Sequence, residues 1–143
     1  MDTRILIEIM KKEHETLREF LKVLNEERDS IISFSLEGII QKNNQKEELI
    51  KRLEYLKREK EKALPDIDQD FFTTNNEWRA LSKDIEQIMR EVRPALEKNV
   101  KLLSFSIDHV KSSIEHIVGF INSTVGYGRK KKEHAPFLLS RVV

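Results

Sequence analysis

From Trp78 to Ile121 the apolar positions follow one another mostly at three- and four-residue steps. Trp78, Leu81, Ile85, Ile88, Val92, Leu96, Leu103, Ile107, Val110, Ile114, Ile117 and Ile121 therefore draw one line down a single α-helix, because residues three and four apart share a helix face. A helix over 76–124 is roughly 70 Å long. The helical patterns upstream are each much shorter, so part of the stripe lacks a partner within the chain. An uncovered apolar helix face usually belongs to something else.

A first helix is predicted over about 2–30. Met10, Leu17, Leu24 and Ile31 recur at seven-residue intervals, and Leu6, Phe20 and Leu21 complete the face. Glu13-His14 and Glu27-Arg28 fall where further core residues belong, which predicts a seam that is narrow or wet in places. Ser33-Phe34-Ser35 reads as a short break with Ser35 as the next N-cap. A second helix follows over about 36–64 and is stopped by Pro65. Its apolar residues gather at its two ends, while 41–48 is polar all round and is predicted to project beyond the core or line a weak spot.

The stretch 65–75 is the one long connection. Asp66, Asp68 and Asp70 alternate there as in a calcium loop, but neither the glycine nor the glutamate such a loop needs follows. It reads as an acidic surface turn with Phe71 and Phe72 packed on the bundle. Thr74-Asn75-Asn76-Glu77 is a capping-box pattern with Thr74 as the cap. Pro94 then interrupts the third helix, predicting a kink near 90–94 or a break giving four helices. The pattern resumes in phase, which favours the kink. The fold expected is all-α: an elongated antiparallel three-helix bundle or coiled-coil hairpin with a long third helix. It forms a single helical-bundle domain over 1–125, followed by a C-terminal tail, 126–143.

Composition agrees with a thin bundle. The 143 residues are 38% hydrophobic and 36% charged, more charged than an average globular chain. Net charge is +1, so no global field points to nucleic acid or acidic lipid. Cysteine is absent, which excludes disulfides, thiolate nucleophiles and sulfur-ligated metals. The start of the chain, broken by Glu8 and Lys11, has neither a signal-peptide pattern nor an anchor. No window reaches the ~18 apolar residues of a membrane helix. A soluble cytoplasmic protein is expected, without stable membrane insertion.

Catalytic and metal motifs fail one by one. His14-Glu15 begins like the helical zinc motif, but Arg18 stands where the second histidine belongs. His109 and His116 share a helix side yet are spaced too far apart to chelate together, and read as a solvated face. Gly-rich phosphate loops and nucleophile elbows are absent from the sequence. No enzyme, cofactor or metal is expected. The run Arg129 to Lys132, beside Tyr127, could contact phosphate or anionic lipid. Without a basic helix face or interleaved aromatics it reads as a solvated tail.

Three stretches resemble the FlgN-type flagellar export chaperones. Leu36-Glu37-Gly38-Ile39-Ile40, continued through Lys46-Glu47-Glu48-Leu49-Ile50 to Leu53-Glu54 and Arg58, is similar to that family's second helix. Glu97-Lys98-Asn99-Val100-Lys101-Leu102-Leu103 resembles its asparagine-then-leucine stretch, and Val125-Gly126-Tyr127-Gly128 sits where members place a Tyr-Gly pair. The glycine that usually follows is replaced by the lysine run. The resemblance implies a chaperone that binds the terminal helices of the hook-associated proteins FlgK and FlgL and delivers them to the export gate protein FlhA. Carried onto this chain, it implies a cargo face of Leu103, Ile107, Val110, Ile114, Ile117, Phe120 and Ile121. Tyr127 would dock to the gate.

The surplus apolar stripe reaches the same stretch without the resemblance, since it suits an amphipathic helix of a cargo that is disordered before assembly. The plainer reading makes Ile107, Val110, Ile114 and Ile117 ordinary core, buried by the first helix or by a second copy in a homodimer. A structural coiled-coil adaptor that only oligomerises is the alternative function. A nucleic-acid or membrane-surface binder acting through Arg129 to Lys132 would lose binding steeply with salt.

Overall fold

The computed structural model describes residues 2–125, and its three long helices lie where the sequence pattern predicts them. The architecture is all-α, with helices α1 (Asp2–Ile32), α2 (Leu36–Ala63), α3 (Gln69–Thr74) and α4 (Asn76–Val125). The chain divides into two compact units, one ending at Asn99 and the other beginning at Val100.

In the first unit α1 presents the seven-residue repeat inward: Met10, Leu17, Leu24 and Ile31 are buried, as are Leu6 and Phe20. The helix ends in a Schellman motif. The Ser35 N–H donates to the Ser30 carbonyl at 2.9 Å and the Phe34 N–H to the Ile31 carbonyl at 3.1 Å, satisfying carbonyls that the helix leaves without partners. Phe34 occupies the left-handed position of this motif with φ 55°, where glycine is the usual residue. Ser35 serves twice, closing α1 and capping α2, with its Oγ accepting from the Gly38 N–H at 3.2 Å.

The second helix returns antiparallel to the first. Lys42 meets Glu26 (3.0 Å), Lys46 meets Glu27 (2.7 Å), Arg52 meets Glu19 (3.3 Å) and Lys60 meets Glu13 (3.0 Å), so rising numbers in α2 pair with falling numbers in α1. The polar stretch 41–48 therefore does not project beyond the core. Lys42 and Lys46 turn it onto α1, where acidic residues stand at the core positions that the sequence left wet.

The connection is more ordered than a loop. A 3-10 turn, Leu64–Asp66, holds Pro65 near its start, where the missing N–H costs no helix bond. Ile67 is buried behind it, and the Asp68 side chain caps α3 by accepting from the Asp70 N–H. Phe71, Phe72 and Trp78 form a ring cluster with centroids 5.0–5.9 Å apart. The expected capping box does not form, and the N-cap lies one residue later, at Asn75. Thr74 donates its hydroxyl to the Asp70 carbonyl (2.6 Å), and the Asn75 Oδ1 accepts from the Trp78 N–H (2.8 Å) in its stead. Glu77 instead pairs with Lys11 at 3.1 Å, and this hydrogen bond and charge raise the Lys11 pKa above the ordinary lysine value.

Helix α4 runs unbroken through Pro94. Val92 and Ala95, on either side of the proline, are both buried, so the apolar face keeps its phase and the proline itself stays exposed. Ile88, Val92 and Ala95 pack with Leu17, Phe20, Val23 and Leu24 of α1 and Leu49 of α2. Each of the leucine, isoleucine, valine and phenylalanine side chains among them contributes about 1.5–3 kcal/mol on burial. Lys11 lies beside Glu77 and Leu24 beside Asn99, so α4 runs parallel to α1 and antiparallel to α2 within this unit.

Candidate binding face

The stripe on α4 has one step of seven residues, from Leu96 to Leu103. Asn99 fills it, and Asn99 is buried to 3% exposure. Its Nδ2 donates to the Leu24 carbonyl (2.7 Å) and to Glu27 Oε1 (2.9 Å), while its Oδ1 accepts from Arg28 Nε (3.1 Å). Glu27, itself 4% exposed, uses its other carboxylate oxygen for Lys46. Each amide atom thus has a partner, as a buried polar group requires.

On the residues that follow, Val100 to Val125, α4 carries large apolar side chains at or near the surface. Leu103, Ile107, Val110 and Ile114 are part-buried, whereas Ile117 is 56% exposed and Ile121 is also exposed. At 3.6 residues per turn these six fall within an arc of about 80°, one continuous aliphatic ridge. Phe120, the remaining candidate, is 68% exposed and lies about 100° round the helix from that ridge. Tyr127, the Arg129–Lys132 run and the segment Phe137–Leu139 lie outside the described residues.

A second row was missed in the sequence reading. The Phe105 and His109 rings stack, with centroids 6.4 Å apart and an interplanar angle of 9°. The same helical spacing brings His116 and Phe120 onto that side, and all four residues are exposed. The signal was available as two pairs of aromatic rings at i,i+4, but aliphatic periodicity alone does not register it. Among the described residues no group of three or more His, Asp or Glu is placed to hold a metal ion, and no helix is long and apolar enough to cross a membrane.

No curated protein and no solved structure matches the chain significantly. The model of one protein family, described as FlgN protein, matches residues 1–135. That family consists of flagellar export chaperones, not enzymes, and its members bind hook-associated proteins. With nearly the whole sequence covered by the match, the chain belongs to the FlgN family.

Proposed function

We propose that this protein is a cytoplasmic export chaperone that holds hook-associated proteins of the FlgK and FlgL kind through the ridge from Leu103 to Ile121. Delivery to the export gate protein FlhA, with Tyr127 as a docking residue, completes the proposed cycle. One observation carries the placement: the apolar positions of α4 are buried at Ile88, Val92 and Ala95 but exposed at Ile117 and Ile121. Exposed aliphatic residues at helical spacing fit the apolar face of an amphipathic cargo helix. Such a cargo would gain structure on binding, and the ordering entropy would keep the affinity moderate, as release at the gate requires.

Calorimetric titration of the full-length protein and its Ile114→Asp variant with purified FlgK and FlgL tests this. Micromolar or tighter binding that the substitution abolishes, with helical content retained, is the expected result. An unfolded variant would make the ridge core. A stable dimer of the unaltered protein that binds neither cargo would instead favour the coiled-coil adaptor.

A further inference from the structure

The stripe on α4 creates an ambiguity that apolar packing cannot resolve. Before and after Asn99 it carries aliphatic residues at the same spacing, so sliding the helix by one turn against α1 and α2 would exchange one aliphatic for another. Leu103 could take the place of Asn99, or Ala95 could. Hydrophobic burial is non-directional and would distinguish these registers poorly. The half-exposed Lys11–Glu77 pair is the kind of contact that contributes little.

We propose that Asn99 is a positioning residue that fixes the axial register of α4 on the α1–α2 hairpin, and thereby decides which part of the stripe is core. The amide has directional needs that only one register meets. In the observed register the Leu24 carbonyl, Glu27 and Arg28 surround it and satisfy both of its ends. One turn toward the start of α1, it would face Phe20 and Leu24; one turn the other way, it would face Ile31. All three are buried apolar side chains, so either position would offer the amide a backbone carbonyl but take it from the side-chain partners that now satisfy both of its ends. Glu27 would lose Asn99 in both cases. A single buried asparagine specifies register in coiled coils by the same physics. The anchor is stiff on the hairpin side as well, since Lys46 of α2 holds Glu27 at 2.7 Å. All three long helices therefore converge on the asparagine.

The test reads position directly. The chain has no cysteine, so spin labels can be placed at Lys12→Cys on α1 and Lys98→Cys on α4, both exposed positions well separated along the bundle. Full-length protein with Asn99 intact should give one interlabel distance by pulsed electron resonance. Asn99→Leu should add a second population displaced by about 5 Å, one helical turn, with far-UV helicity unchanged. Asn99→Ala, which removes the amide without adding bulk, should do the same. A single unaltered distance in both variants overturns the proposal, because apolar packing then sets the register alone. Loss of helicity in both also overturns it, because Asn99 would then hold the fold and not the register.

Discussion

Two ion pairs join the same two helices and should differ several-fold in what they contribute. Glu27 is almost wholly buried and bridges Lys46 of α2 and Asn99 of α4. Glu19 pairs with Arg52 at 3.3 Å, and both of those side chains are about half exposed. Glu27→Ala strands one amide hydrogen of Asn99, which costs about 1–3 kcal/mol. It also strands the Lys46 ammonium. Orphaning a fully buried charge costs about 3–5 kcal/mol, but Lys46 retains some solvent access and can swing its head outward on its flexible stem, leaving about 1 kcal/mol. The sum is about 3 kcal/mol. For a chain of this size that lowers the melting temperature by about 12 °C, at about 4 °C per kcal/mol. Glu19→Ala should cost no more than about 1 kcal/mol. Thermal denaturation followed by circular dichroism measures both. A double-mutant cycle with Lys46→Ala should then show a coupling above about 1 kcal/mol for the buried pair. Equal melting shifts for Glu27→Ala and Glu19→Ala would refute the reasoning, since burial would not be what makes the difference.

Other substitutions probe the remaining features. Leu24→Ala, at a fully buried position, should cost about 2–5 kcal/mol in chemical denaturation, whereas Ile117→Ala should change stability by less than about 0.5 kcal/mol. Gly119→Ala should raise the melting temperature, because an added Cβ meets nothing within 4 Å and helical alanine is favoured over glycine by up to about 1 kcal/mol. Gly38→Ala should lower it despite the same propensity gain, because its Cβ would lie 2.5 Å from Ser30 Oγ and 3.0 Å from Ser35 Oγ at the turn. Tyr127→Ala should leave cargo affinity unchanged and weaken capture by the purified cytoplasmic part of FlhA; equal loss of both would contradict separate surfaces.

The sequence by itself determined the three long helices and their inward faces. Seven-residue recurrence in α1, three- and four-residue steps in α4, and Ser35 and Pro65 as local stop and start signals are all properties of a segment and its immediate neighbours. Local chemistry suffices to read them. It failed by one residue at the α4 cap, where Thr74 and Asn75 are both competent and the short helix α3 decided between them by engaging the threonine hydroxyl. Tertiary structure alone decided what the polar interruptions mean. Glu27, Lys46 and Asn99 lie far apart in sequence, and each looks like a surface residue or a flaw in its own stripe. Only packing three helices together makes them one satisfied cluster, because a buried charge or amide is tolerable only where its partners converge from other elements. The same holds for the stripe on α4. Periodicity names its apolar positions, but exposure at Ile117 and burial at Val92 depend on what stands opposite, and no segment encodes its own neighbours.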